Sequence, residues 1–185
     1  AFNHIDGASG GNELWLVEVA TASARRIRAD LNTVLGSGYR WQPDSRGLLV
    51  MTRVPNAGDP PPRDAVPTGP AIQQTAPGTG VVSIRTYQDL LENQADAALF
   101  DYYAHAQPMQ VGLDGSAQAI GMAGVYLDLS YSPDGQYLLS QRVQRPYSYV
   151  VPVGSFPRRI EVLDGNGKLV HTVAVRPLVE GLPTG

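Results

Sequence analysis

Apolar and polar positions alternate along most of the chain with the two-residue period of strands, punctuated by Gly, Asp, Asn and Pro. Leu14-Trp15-Leu16-Val17-Glu18-Val19 predicts one strand, and a short turn leads into a second that runs through Ile27. Gly47 to Val54 predicts a mostly buried strand, preceded by Trp41-Gln42-Pro43-Asp44. Tyr126 to Tyr131 and Tyr137 to Val143 flank Ser132-Pro133-Asp134-Gly135, which predicts a hairpin closed by a Pro-Asp-Gly turn. Ile160 to Leu163 and Leu169 to Val175 flank Asp164-Gly165-Asn166-Gly167, a second hairpin signal.

One stretch departs from this pattern. Residues 55–83 hold Asp59-Pro60-Pro61-Pro62, Pro67, Pro70 and Pro77 and predict an extended, irregular excursion. Thr86-Tyr87-Gln88-Asp89 then has the form of a capping box, with Thr86 as cap and Asp89 reaching back to its amide. Tyr87, Leu90, Leu91, Ala95, Ala98 and Leu99 recur at helical spacing, which predicts a helix over about residues 87–99. Phe100-Asp101-Tyr102-Tyr103 follows it as an aromatic packing cluster.

Two phrases repeat. Trp41 to Leu49 and Tyr131 to Leu139 are each an aromatic, a linker residue, Pro-Asp, a turn and a strand. Strand, Asp- or Ala-rich turn and strand recur at 14–28, 109–120 and 160–175. Alternation of the two phrases is the order produced by four-stranded propeller blades, with the inner strands around Pro-Asp and the outer strands around the other turn. Setting aside an insertion at about 55–99 leaves 140 of 185 residues, room for about three blades of roughly 40–50 residues. The fold class predicted is therefore all-β: a partial β-propeller of about three four-stranded antiparallel blades, with a Pro-rich insertion and one short helix. Three blades do not close a ring of typically four to eight, so the chain is expected to be a piece of a larger molecule.

Composition narrows the chemistry. Fourteen Lys and Arg against 17 Asp and Glu give a net charge of −3. No basic run exceeds Arg25-Arg26 or Arg158-Arg159, so no nucleic-acid partner is implied. Apolar runs are a few residues long, well short of the roughly 20 that a membrane helix needs. There are no cysteines, which removes disulfides, thiolate metal sites and a Cys nucleophile. His4, His105 and His171 lack the spacing of a metal motif, and neither Asp114-Gly115 nor Asp164-Gly165-Asn166-Gly167 completes an EF-hand loop. Neither a Walker loop nor a Rossmann fingerprint is present, so no cofactor is implied. Gly7-Ala8-Ser9-Gly10-Gly11 matches G-x-S-x-G, but a strand rather than a helix follows it, so a plain Gly-Ser loop is the better reading than a nucleophile elbow.

Several longer phrases are more specific. Glu13-Leu14-Trp15, Leu31 to Gly36, Val66 to Pro70, Arg85-Thr86-Tyr87-Gln88-Asp89-Leu90-Leu91, Leu99 to Tyr103, Arg145-Pro146-Tyr147-Ser148-Tyr149 and Phe156 to Val162 run in order over about residues 12–184. In these the chain resembles the propeller segment of glutamyl endopeptidases, a branch of the prolyl oligopeptidase serine peptidases with a chloroplast form and bacterial relatives. The resemblance implies an N-terminal β-propeller, to which residues 1–185 would contribute, and a C-terminal α/β-hydrolase domain that this chain does not contain. It implies a Ser-Asp-His triad in that domain, cleavage after Glu, and a propeller that admits and positions peptides. No catalytic residue is carried over, and the chain alone is expected to be inert. The compartment is left open: chloroplast for a plant parent, periplasmic or secreted for a bacterial one.

The partners implied are a peptide substrate and the protein's own hydrolase domain. A glutamate side chain held in a closed cavity needs a cation, because a buried carboxylate without one is strongly disfavoured. Arg145, Arg85, Arg142 and Arg158 are the candidates; Arg145, Tyr147 and Arg85 are the substrate-binding residues expected, with Arg145 first. Arg145 reads first as the brace of a loop by a salt bridge, and second as the fork that meets a substrate carboxylate. The alternative to a peptidase segment is a stand-alone propeller-type module that binds peptides or proteins.

Overall fold

The computed structural model describes residues 1–62, 87 and 89–180. The chain folds as three antiparallel meanders. The first is β1 (Phe2–Ile5), β2 (Asn12–Glu18) and β3 (Ser23–Arg28), hydrogen-bonded in that order. The second is β4 (Tyr39–Trp41), β5 (Gly47–Arg53), β6 (His105–Gly112) and β7 (Ala117–Ala119), each strand paired with the next. The third is β8 (Gly124–Tyr131), β9 (Tyr137–Val143), β10 (Arg158–Asp164) and β11 (Leu169–Arg176), again paired in order. Where the three-residue β7 stops, β8 takes over the same edge of β6 through His105↔Val125 and Ala106↔Gly124, which joins the second and third meanders into one hydrogen-bonded sheet.

The repeated phrases fall where the alternation places them. Trp41-Gln42-Pro43-Asp44 turns β4 into β5 and Ser132-Pro133-Asp134-Gly135 turns β8 into β9, the first pair of each four-stranded meander. Asp114-Gly115 and Asp164-Gly165-Asn166-Gly167 turn the last pair. Side chains fix these turns: Asp134 Oδ1 accepts from Ser132 Oγ at 2.5 Å and from the Gln136 amide at 3.1 Å. Those bonds favour the charged carboxylate and hold Asp134 below the usual carboxylate range. In the β10–β11 turn, Gly167 has φ +81°, and a Cβ there would lie 2.2 Å from the Gly121 amide nitrogen. Only glycine meets both demands.

Burial explains the strand β5. Its Leu48, Leu49 and Val50 are at most 2% exposed, because it lies between β4 and β6 with apolar side chains on both faces. Leu14, Leu31, Leu48, Val50 and Val111 form a core between the first and second meanders. Leu49, Ile120, Tyr126, Leu129, Leu138 and Leu163 form another that spans the second and third.

The helix α1 is Gln94–Ala104, not about 87–99. Asn93 caps it, its side chain accepting from the Asp96 amide at 2.9 Å, while Asp96 accepts from the Glu92 amide at 2.9 Å. Asp89 sits at φ +55°, outside the helical region, and Thr86 lies outside the described residues. Tyr87 and Leu91, read as helical because of their spacing, instead pack against a cluster built on Val125, Val143, Val151 and Phe156. The aromatic run Phe100 to Tyr103 is the second half of the helix rather than its sequel. Of the expected Pro-rich excursion, Val54 to Pro62 is described and irregular; Pro67, Pro70 and Pro77 lie outside the described residues.

Candidate functional site

The long connections gather at one end of the strands. Those between β1 and β2, β3 and β4, β5 and β6 and β9 and β10 approach one another there. Three of them touch directly, Asn32 donating to the Tyr103 carbonyl at 2.9 Å and Arg145 to Asp101 at 2.8 Å, and within the β5–β6 connection Tyr102 donates to the Gly58 carbonyl at 2.7 Å. The Pro-Asp turns occupy the opposite end, Gly135 facing the Pro43 ring.

Arg145, the first residue expected to read substrate, donates through Nε and Nη2 to Asp101 on α1. Tyr147 donates its hydroxyl to the other oxygen of the same carboxylate. Burial, then the bond to Asp101, raises the Tyr147 hydroxyl above the ordinary tyrosine range, and the bond to Asp101 raises Arg145. The Arg145 guanidinium carbon sits 4.9 Å from the Tyr147 ring centre, and that ring stacks on Phe156 at 5.2 Å and meets Phe100 edge-on at 5.1 Å. The cluster fastens the β9–β10 connection to α1. Arg145 therefore braces a loop, with 54% of its side chain still exposed.

The other candidates are dispersed. Arg85 lies outside the described residues. Arg142 contacts buried Glu161 at 3.5 Å on the face of the third meander; Arg159 Nε lies 3.0 Å from the same carboxylate, without the alignment of a hydrogen bond. Arg158 donates to the Gly154 carbonyl. Ser9 Oγ donates to Asp6 Oδ2 at 2.6 Å within the β1–β2 turn and leads into a strand, as a plain loop would. His4 is on β1, His105 opens β6 and His171 is on β11; among the described residues no group of three His, Asp or Glu is arranged to hold a metal ion.

A cleft of about 590 Å³ lies at the same end, between the first and second meanders. Arg53 at the end of β5, His105 at the start of β6, and Tyr102 and Tyr103 on α1 line it together with Asn12 and Asn56. Its wall is held by Asn32, 7% exposed, whose Nδ2 donates to the carbonyls of Tyr103 at 2.9 Å and His105 at 3.0 Å while its Oδ1 accepts from the Val34 amide at 3.1 Å. Two of the carbonyls freed at the helix C-terminus are satisfied in this way. Neither Arg53 nor Asn32 stands in a motif that announces a site. Arg53 carries a readable signal only in being a cation that ends an otherwise apolar strand.

Fold and site thus define an antiparallel β-meander protein whose loop end carries a side-chain cluster and an open cleft. Over 182 residues, 96% of its length, the chain is 38% identical to proteins named "Probable glutamyl endopeptidase, chloroplastic" from Oryza sativa subsp. japonica and from Arabidopsis thaliana. The chain is homologous to one segment of these glutamyl endopeptidases, and it spans 19% of their length. No family model matches. The solved structure of TolB from Acinetobacter baumannii aligns at a TM-score of 0.42 and 9% identity over 94% of this chain and 41% of that one, too loosely to settle how the strands group.

Proposed function

We propose that the chain is the non-catalytic, propeller-type portion of a serine-type endopeptidase of the prolyl oligopeptidase kind, in which the three meanders serve as blades. It admits and positions peptides for a hydrolase domain elsewhere in the protein, which cleaves after Glu. The observation that carries this reading is the 38% identity over 96% of the chain to proteins named glutamyl endopeptidases. The gathering of long connections, the Arg145–Asp101–Tyr147 cluster and the cleft at one end supports a peptide-facing role for that end, since binding residues concentrate on loops held by a rigid scaffold. In this reading Arg145 and Tyr147 contact the peptide at the rim, and Arg85 remains the third proposed substrate-binding residue.

The test is fluorophosphonate labelling of the full-length protein, with hydrolysis of matched peptides carrying Glu or Gln at the cleaved bond. Labelling with preferential turnover of the Glu peptide supports the reading. An unlabelled protein that hydrolyses neither peptide overturns it and leaves the stand-alone binding module.

A further inference from the structure

We infer that the cleft between the first and second meanders is an anion subsite, with Arg53 as the group that holds the carboxylate of an acidic peptide. The inference rests on the peptide-handling role proposed above and identifies where a negatively charged side chain or chain terminus is recognised.

Arg145 is bound through two nitrogens to Asp101, Arg142 faces Glu161, Arg40 pairs with Asp128 at 2.6 Å, and Arg26 and Arg28 pair with Glu13 and Asp30. Each of these guanidiniums has its attraction for a carboxylate largely satisfied from within the protein. Arg25, Arg46, Arg158, Arg176 and Arg53 have no acidic partner among the described residues, and of these only Arg53 lines this cleft, its side chain making one long contact of 3.4 Å to the Ala29 carbonyl. His105 lines the cleft too, and no described Asp or Glu contributes to it.

Shape agrees with charge. About 590 Å³ is within the ordinary range for sites that enclose a small ligand or a few peptide residues. Tyr102 and Tyr103 stand edge to face with ring centres 5.0 Å apart, giving an apolar wall for the residues beside the carboxylate. Asn12 and Asn56 are among the lining residues, a residue type able to pair with peptide backbone groups. A guanidinium fork matches a carboxylate through two parallel hydrogen bonds, which a neutral isostere cannot form.

The experiment is fluorescence anisotropy on the full-length protein, treated first with fluorophosphonate so that bound peptide is not cleaved, with dye-labelled hexapeptides bearing one central Glu or Gln, each with a free or an amidated C-terminus. The amidated Glu peptide should bind about tenfold more tightly than its Gln counterpart, the size of one charged hydrogen-bonded pair. Arg53→Gln should erase that difference while leaving the Gln peptide's affinity and the melting temperature unchanged, and Arg53→Lys should restore part of it. If the preference follows the free terminus instead of the side chain, the subsite stands and its ligand is a chain end. A Glu preference that survives Arg53→Gln, or that disappears with Arg145→Ala while Arg53→Gln leaves it intact, overturns the inference. So does a wild-type protein that binds all four peptides alike. Binding that depends on Arg53 without any fluorophosphonate labelling or hydrolysis would refute the peptidase reading and leave the subsite in place.

Discussion

Removing the Asn32 side chain should unfasten the wall of the cleft. Asn32 is buried and makes three hydrogen bonds, two across a large sequence separation to the carbonyls of Tyr103 and His105 and one local, from the Val34 amide. In Asn32→Ala those backbone groups lose their partners in a place water reaches poorly. At about 1 kcal/mol for each bond the loss is about 3 kcal/mol, a shift in melting temperature of roughly 6–12 °C for a chain of this size. Asn32→Asp should cost more at neutral pH, because a carboxylate would face two carbonyl oxygens about 3 Å away where a donor now stands. The gap between Asp and Ala should close on acidification, since a protonated Asp regains a donor. Urea denaturation measures the sum, and amide hydrogen exchange at Val34 and His105 localises it. If Asn32→Ala unfolds within about 0.5 kcal/mol of wild type with exchange unchanged at both amides, these bonds do not hold the wall and the reasoning is wrong.

Other substitutions probe the scaffold. Gly167→Ala, which forces a side chain into a left-handed backbone and against the Gly121 amide, should cost about 2 kcal/mol or more in denaturant unfolding, whereas Gly154→Ala, with open space at its Cβ, should unfold close to wild type. Leu48→Ala, at a fully buried position of β5, should cost about 2–5 kcal/mol, and Leu169→Ala, at a site 49% exposed, much less; equal urea midpoints would contradict the burial described. Burial raises the Tyr126 hydroxyl, so the folded state keeps a proton that the unfolded chain releases near pH 10. That contribution is whole below pH about 10 and lost as the pH rises through the higher folded value. Tyr126→Phe should therefore flatten the alkaline fall in stability, and an unchanged slope would exclude the effect.

Local chemistry made the hairpins readable. Pro-Asp-Gly and Asp-Gly turns set between alternating strands specify their own pairing, and Tyr137 to Val143 appears as a strand with the bounds the pattern predicts. The short strands β1 and β4 gave too few alternations to register. The helix lies further along the chain than the spacing predicts, because Tyr87 and Leu91 have helical spacing but are apolar for a different reason, the cluster around Phe156, and the residue that caps the helix is Asn93. The site was less legible still. Asp101, which occupies Arg145, is 44 residues away in the chain, and the Asn32 to His105 bond spans 73. Such partners meet only through the sheet register, which no local pattern encodes.

The second and third meanders meet along a backbone ladder of two register positions, whereas β5 and β6 are paired at seven. What else joins their sheets is the Leu49–Leu163 cluster and the exposed Arg40–Asp128 pair, while at the loop end the Arg145–Asp101–Tyr147 cluster ties α1 to the β9–β10 connection. Apolar packing has no preferred direction, and an exposed ion pair holds weakly, so neither resists sliding as a ladder does. Away from the loop end this seam is consequently more compliant than the ladders within either meander, and a shear there would leave every hairpin intact while loading the cluster that ties α1 to the β9–β10 connection.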